Sequence, residues 1–277
     1  MTILRVDFSS EIGLGHLKRI EVFVQRYNIE NPLIVCKKCD ENLTKLSTLK
    51  VSSEEEFFKQ VKKINPEWVI IDNYNFTYEN EKEFKKLFPQ IKLSVFDDFY
   101  AKHFCDEVLN HNLGVKIEKY EKPEIVKIIK PLIRKEFFVA KKKRLKKEGI
   151  FISLGGSDAK ELTLKILKIL KIKKLTVNLY ITSANKNIEK IKKFCKVNKW
   201  VKLHINEDVA MGMSKSKFGI ITPSGISYEA LFMNLPFVAI EVADNQKELV
   251  KYLKRKHIKI LKPNEIRKIL YLIKGKI

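Results

Sequence analysis

The sequence predicts an α/β protein of two halves, each a parallel sheet flanked by helices. Three observations lead there. Short apolar runs of strand length alternate with helix-patterned segments of about 10–15 residues, the rhythm of βαβ units. The rhythm breaks once, over residues 112–148, and then resumes. Each half also places glycines just past its first strand-like run, Gly13 and Gly15 in one, Gly155 and Gly156 in the other.

Ile3 to Phe8 reads as the first strand. After Gly13-Leu14-Gly15, the apolar residues Leu17, Ile20, Val22, Phe23 and Val24 recur at roughly helical spacing up to Tyr27. Pro32 to Val35 is a second strand, 54–64 a helix, and Trp68 to Asp72 a third strand. A charged helix covers about 79–88. Ile91 to Phe96 is a strand ending in Asp97-Asp98, and Cys105 to Leu109 a short one ending at Asn110.

Pro123 and Pro131 then interrupt the pattern, and Lys141 to Arg144 with Lys146-Lys147 reads as a solvated basic run. Domains are expected at 1–135 and 149–277, with a basic linker at 136–148. In the second half, Ile150 to Leu154 is a strand, and Asp158 is placed to cap a helix running to about 172. Strands follow at 175–181, 201–205 and 218–222, and Thr222-Pro223-Ser224-Gly225 turns into another helix. Pro236 to Val242 is a strand leading into Asp244-Asn245-Gln246 and a helix to about 256, and a last helix starts at Pro263.

In open parallel sheets, ligands gather beyond the carboxyl ends of the strands. That rule brings the loop 9–16, Asp72-Asn73-Tyr74, Asp97-Asp98 and Asn110 to one edge. Glycines there let the backbone turn tightly and approach a ligand, and a helix start offers N–H groups that suit phosphate. His16 stands at that helix start, and histidine is the side chain best suited to move a proton near neutral pH. His103, His111, His204 and His257 lack such a setting and read as surface or packing residues. A glycine loop at a strand end in each half suggests a ligand held in a cleft between them.

The 277 residues can bury a full core, and 45% apolar content argues for a globular chain. No apolar stretch reaches the ~18 residues of a membrane span, and no leader-like segment precedes the first strand, so the chain reads as cytoplasmic. The net charge of +22 comes from lysines scattered over the expected helices, including 141–147, 165–174 and 187–199. That is the pattern of a solvated surface and is compatible with an anionic small molecule. Cys36 and Cys39 have the spacing of half a zinc site or a redox pair, but no second pair accompanies them; with Cys105 and Cys195 they read as idle thiols.

Several segments together resemble the UDP-2,4-diacetamido-2,4,6-trideoxy-β-L-altropyranose hydrolases of pseudaminic acid biosynthesis, among the nucleotide-sugar enzymes with two Rossmann-like domains (GT-B type). They are Arg5-Val6-Asp7, the run Ser9 to Arg19, Ile71 to Tyr74, Phe96 to Asp98 and Ile133 to Phe137. Gly155 to Asp158, Tyr228 to Leu231 and Asn245-Gln246 complete them. The resemblance implies hydrolysis of a UDP-sugar at the anomeric carbon, with inversion, releasing UDP and the free sugar. It implies no metal and no cofactor. His16 would be the general base, with Tyr74 and Asn245 on the sugar side of the cleft. Gly155 and Gly156 would approach the pyrophosphate, and Glu229 would accept hydrogen bonds from the ribose. Gly13, Gly15, Asp72, Asp98, Ser224, Gly225 and Gln246 complete the expected substrate contacts. The loop Gly225 to Tyr228 varies in the family, and phosphate contacts by Ser224 and Ser227 are expected there.

The residues support that chemistry on their own terms. A nucleoside diphosphate can leave without protonation if N–H groups and dipoles meet it, and the helix starts after Gly15 and Gly225 could do so. Inversion needs one base, not the carboxylate pair of ordinary glycosidases. The rival readings are a UDP-sugar-dependent glycosyltransferase of the same fold and a basic nucleic-acid binder. The chain is short for the first, with no dedicated acceptor domain, and for the second it shows no aromatic RNA motif, helix-turn-helix or basic stripe. A UDP-sugar is thus the expected partner, with no nucleic acid, no membrane and a monomeric chain.

Overall fold

The computed structural model describes every residue except 10, 11, 144, 156, 157, 159, 174, 276 and 277, and omits the side chain of Asn245. The chain divides into two compact units, Met1–Leu132 and Ile133–Ile277.

In the first unit the order is β1 (Thr2–Val6), α1 (Gly15–Arg26), β2 (Pro32–Cys36), β3 (Ser47–Lys50), α2 (Glu54–Ile64), β4 (Trp68–Asp72), α3 (Tyr78–Leu87), β5 (Lys92–Phe96), β6 (Glu107–Asn110) and β7 (Val126–Ile128). The strands form one seven-stranded sheet, ordered β3-β2-β1-β4-β5-β6-β7, with every pairing parallel. Side chains alternate across a strand, so each strand feeds two cores. Leu4, Val6, Ile34, Ile70 and Phe96 pack with Leu17, Ile20 and Phe23 of α1. Ile3, Val35, Val69, Ile71, Leu93 and Val95 pack with Phe57, Phe58 and Val61 of α2 and Phe84 of α3. Both faces are covered, which is why these strands read as nearly continuous apolar runs. Ser53 caps α2, and Thr77 with Asn80 forms a capping box on α3.

The second unit opens with α4 (Lys135–Lys142), which overlaps the stretch 136–148 read as a basic linker. Lys141 and Lys142 at the start of the lysine run are helical, and Phe137 and Ala140 form the buried side of α4. Next come β8 (Ile150–Ser153), α5 (Thr163–Leu170), β9 (Val177–Ile181), α6 (Ile188–Val197), β10 (Val201–Ile205), α7 (Val209–Ser214) and β11 (Phe218–Ile221). The chain ends with α8 (Gly225–Phe232), β12 (Phe237–Ile240), α9 (Lys247–Arg255), β13 (Ile260–Leu261) and α10 (Ile269–Leu272). This sheet has six strands, ordered β10-β9-β8-β11-β12-β13, again all parallel. α5 starts later than the sequence suggests: Asp158 sits at φ 46°, and its carboxylate accepts from the Leu162 and Thr163 amides at 3.0 Å each.

Both sheets follow the 3-2-1-4-5-6 strand order of a dinucleotide-type fold, the first with one further strand. The order reverses between β1 and β4 in the first unit and between β8 and β11 in the second. The crevice beyond those strand ends is where such sheets take ligands. Gly13, Gly15 at the start of α1 and Asp72 at the end of β4 lie at the first reversal point, and Gly155, Ser224 and Gly225 at the start of α8 lie at the second.

Cys36 and Cys39 are joined by a disulfide, which corrects the expectation of idle thiols. The backbone folds them together: the Lys37 and Lys38 amides both donate to Asp7 Oδ1, and Phe8 pairs with Cys39.

Gly149, at φ +66°, leads into β8, and a Cβ there would run into the Thr176 carbonyl that accepts from the Ile150 amide at 2.9 Å. Backbone cannot yield as a flexible side chain would. Gly149→Ala is expected to destabilise the protein by about 2 kcal/mol or more. Urea unfolding checks this, and an unchanged midpoint would contradict it.

Candidate functional site

The site of the first unit grows from the turn between β1 and α1. Gly13, at φ +99°, has a backbone conformation that L side chains rarely adopt, and its N–H donates to the Ser9 carbonyl at 2.9 Å. Ser10 and Glu11, in the same loop, lie outside the described residues. α1 then starts at Gly15 with no side-chain cap from Leu14 and no acidic residue in its first turn. Its leading N–H groups therefore point at the reversal crevice with no partner from that cap.

His16 and Arg19 lie three residues apart, on one face of α1. His16 Nδ1 lies 2.5 Å from Asp72 Oδ1 at the end of β4. Arg19 grips the same carboxylate with two atoms, Nε to Oδ2 at 2.8 Å and Nη2 to Oδ1 at 2.5 Å. Its remaining nitrogen, Nη1, donates to both oxygens of Asp98 at 2.9 and 2.8 Å. Tyr74 Oη donates to Asp98 Oδ2 at 2.6 Å, and Asn112 Nδ2 donates to Oδ1 at 2.7 Å. The His16 and Tyr74 rings meet edge to face, centroids 4.5 Å apart.

Charge and burial set the protonation states. Burial opposes ionisation of Asp72, but Arg19 and then His16 outweigh it and hold the carboxyl below its usual range. Burial likewise opposes charge on Asp98, and Arg19, His111 and the Tyr74 hydroxyl hold it well below. An ionised carboxylate only accepts, so the short contact to Asp72 requires the proton of neutral His16 on Nδ1. Nε2 is then its basic nitrogen. Burial, followed by the Asp98 charge, pushes the Tyr74 phenol far up. Tyr74 is 47% exposed as a residue, yet its hydroxyl end is seated on Asp98. His111 Nε2 lies 3.4 Å from Arg19 Nη1; burial and then Arg19 push its pKa down to about 4, so it is neutral at pH 7.

A scaffold of further buried polar groups holds these loops. Arg5, fully buried in β1, pairs with Asp7 at 2.8 Å and Glu54 at 2.9 Å. Asp7 Oδ2 accepts from Asn73 Nδ2 at 2.8 Å, which ties the turn after β1 to the residue between Asp72 and Tyr74. Asp97 accepts from the amides of Phe99, Tyr100 and Ala101 and from Tyr120 Oη, shaping the loop that presents Asp98. Asn110 reaches the same strand edge but spends its side chain on Tyr120 and the Asn112 amide. His103 lies between Glu81, at 2.9 Å, and Asp97, at 3.5 Å. Glu81, His103 and Cys105 have ligand-type atoms within 4.8 Å of one another. The ion pair accounts for the first two, and burial with the Glu81 charge keeps the thiol protonated.

In the second unit, Gly155 is exposed at φ +87° after β8, and Gly156 lies outside the described residues. Ser224 and Gly225 are exposed at the start of α8, whose N-cap Ser224 makes no side-chain capping bond and has its hydroxyl 3.3 Å from Thr222 Oγ1. Ser227 is fully buried, its hydroxyl donating to the Thr222 carbonyl at 3.0 Å. Glu229 is 5% exposed, and Arg134 grips both its oxygens, Nε to Oε1 at 2.6 Å and Nη2 to Oε2 at 2.7 Å. Burial raises the Glu229 pKa against the pull of Arg134. Gln246 Oε1 accepts from the Val242 and Ala243 amides, and Asn245 stands beside it in the turn Asp244–Gln246.

Residue reasoning thus points to Gly13, Gly15, His16, Asp72, Tyr74 and Asp98, which the fold brings to one strand edge. It assigns no role to Arg19, Asn112 or Arg134, and it reads His111 as surface or packing although that ring sits against Arg19. The signals were faint: Arg19 stands one helical turn past His16, and Arg134 lies in one of the segments that carry the family resemblance.

Two doubly wound parallel units define a GT-B-type protein, and solved structures share that fold. MurG of Acinetobacter baumannii superposes with a TM-score of 0.65 at 11% identity, over 99% of this chain and 91% of that one. The UDP co-structure of MnaA from S. aureus gives 0.60 at 13% identity, over 99% and 87%. Os79 from O. sativa with UDP gives 0.68 at 10%, over 99% and 91%. No family model matches the chain. Among curated proteins, the UDP-2,4-diacetamido-2,4,6-trideoxy-beta-L-altropyranose hydrolase of Campylobacter jejuni is 34% identical over 270 residues, covering 92% of this chain and 96% of that protein. An uncharacterized protein of Methanocaldococcus jannaschii is 28% identical and spans 92% of this chain, which covers 59% of that protein. The chain belongs to the UDP-2,4-diacetamido-2,4,6-trideoxy-beta-L-altropyranose hydrolase family. No helix among the described residues is long and apolar enough to cross a membrane.

The scaffold makes a pH prediction. Burial disfavours charge on His103, but its interactions with the Asp97 and Glu81 carboxylates win and raise its pKa from 6.5 to about 9. A raised pKa means that the folded state binds the proton more tightly. This stabilisation is complete below about pH 6.5 and is lost as pH rises through about 9. Urea midpoints of the unmodified protein should fall across that window more than those of His103→Gln. Parallel curves for the two proteins would refute the assignment.

Proposed function

We propose that the protein hydrolyses a UDP-linked diacetamido-trideoxy hexose at its anomeric carbon, with inversion, as a step of pseudaminic acid biosynthesis. Family membership supports the substrate class. The single observation that carries the mechanism is the 2.5 Å contact of His16 Nδ1 with buried Asp72, which assigns the proton of the neutral ring to Nδ1 and leaves Nε2 as the base. A carboxylate that orients an imidazole in this way is the arrangement used to activate a nucleophile.

In this reading His16 Nε2 takes one proton of a water as its oxygen forms the new bond to the anomeric carbon. The bond from that carbon to the phosphate oxygen breaks, and its electron pair leaves with UDP. One base on one face suffices, and attack opposite the leaving group inverts the centre. Helix starts that carry no side-chain cap, those of α1 and α8, can offset the charge that gathers on the diphosphate. Tyr74 and Asn245 contact the sugar. The second unit holds the nucleotide, with Gly155, Gly156, Ser224 and Gly225 on the pyrophosphate and Glu229 on the ribose. Arg134 occupies one lone pair of each Glu229 oxygen, and a carboxylate has further acceptor sites for ribose hydroxyls.

The deciding experiment is NMR of the sugar released from candidate UDP-sugars, which reads substrate and anomeric configuration together. Release of the α or β anomer with the donor's own configuration would sink inversion, and no release from any diacetamido-trideoxy donor would sink the function. Chemistry and binding should also separate by residue. His16→Ala should lower kcat by roughly 10²–10⁴-fold with UDP affinity little changed, since a base acts only in the transition state. Glu229→Ala should mainly raise KM, because the ribose does not react. A near-normal kcat for His16→Ala would overturn the mechanism. Activity is expected to survive excess chelator, and loss restored by a divalent ion would show that a metal takes part.

A further inference from the structure

Arg19 is the largest unassigned feature of the first unit. Its side chain is 9% exposed, and its guanidinium lies between two carboxylates on the ends of different strands. Each carboxylate in turn orders one ring: Asp72 holds His16 Nδ1, and Asp98 holds the hydroxyl proton of Tyr74. The two rings touch edge to face. A surface ion pair would need no such fork and would contribute little. Here all three guanidinium nitrogens are engaged, and lysine, a point charge with no planar fork, cannot reproduce that.

We infer that Arg19 is a positioning residue that sets the proton direction of both rings at once, so that His16 Nε2 and Tyr74 Oη face the substrate as hydrogen-bond acceptors. The inference rests on the proposed hydrolysis only for its kinetic consequence. With its proton committed to Asp98, Tyr74 does not protonate the leaving phosphate. It accepts from a donor, which makes it suited to a sugar amide or hydroxyl hydrogen, or to the second hydrogen of the attacking water. His16 takes the first. The groups facing the His16 ring are Arg19 from its own helix, Asp72 at the end of β4 and Tyr74 just past it, and Asp98, His111 and Asn112 form the layer behind them.

The test uses Arg19→Lys, which keeps a charge for the two buried carboxylates, beside Arg19→Ala, both checked for folding by thermal melting. Two readouts are needed. Nitrogen-15 NMR of the histidine rings reads the His16 tautomer without any substrate. In the unmodified protein it should show Nδ1 protonated and Nε2 as the bare nitrogen, and in folded Arg19→Lys this preference should be lost to exchange between tautomers. Kinetics with the UDP-sugar should show kcat down roughly 10²-fold, the scale of a misplaced catalytic group, with KM and UDP affinity within about threefold. Guanidinium ion added to Arg19→Ala should recover part of kcat. A folded Arg19→Lys with an unchanged tautomer and a kcat within about threefold of normal would overturn the inference. If Arg19→Lys does not fold, guanidinium rescue of Arg19→Ala decides, and no rescue counts against it. If the unmodified protein hydrolyses no UDP-sugar but the tautomer still depends on Arg19, the functional reading fails and this one stands.

Discussion

One guanidinium between two carboxylates organises the first unit. Arg19 comes from α1, Asp72 from the end of β4 and Asp98 from just past β5, so the pairing joins three separate segments at the reversal point of the sheet. Buried charges are costly to desolvate, and the attraction repays this only with good geometry and satisfied hydrogen bonds. Both conditions hold here. Asp72 accepts from Arg19 and His16, and Asp98 from Arg19, Tyr74 and Asn112. Removing one member of such a set typically costs about 3–5 kcal/mol, because the others are left charged and unpaired. Conformational order is thus built into the same atoms that orient the candidate base.

The loops around that cluster are fixed from beneath. Arg5 and Asp7 extend β1 into a second polar layer, which reaches Glu54 at the start of α2, the amides of Lys37 and Lys38, and Asn73. Asp97 performs the same service on the other side, gathering three amides and Tyr120. Consecutive aspartates therefore do different work: Asp97 shapes the loop, and Asp98 faces Arg19. The neutral state of His111 matters in the same context, since a charged ring there would repel Arg19.

The second unit repeats the strand order. Its reversal point carries an exposed glycine, the open start of α8 and a buried glutamate held in a two-pronged grip by Arg134. A fork of this type fixes the plane of the carboxylate as well as its charge. Lysines spread over the remaining surface contribute the high net charge without forming part of either set.

Much of the architecture was readable from local pattern. The apolar runs of β1, β2, β4, β5, β8, β9, β11 and β12 are largely buried, so their composition alone marks them as parallel strands. The half-exposed edge strand β10 is legible from its alternation of apolar and polar residues. The edge strand β3, Ser-Thr-Leu-Lys, and the short β7 and β13 escape because half-exposed or very short strands lack that signature. The six-residue α7 is too brief to show a period. Glycine spacing and a histidine at a helix start marked where the site lies, since turn chemistry is local. What the residues do to one another was not readable. Arg19 looks like its surface neighbour Lys18 until Asp72 and Asp98, 53 and 79 residues further along, are folded against it. Sequence periodicity reports which side of a strand or helix is buried; which charges share that burial, and hence which way His16 and Tyr74 turn their protons, is decided only when distant strand ends meet.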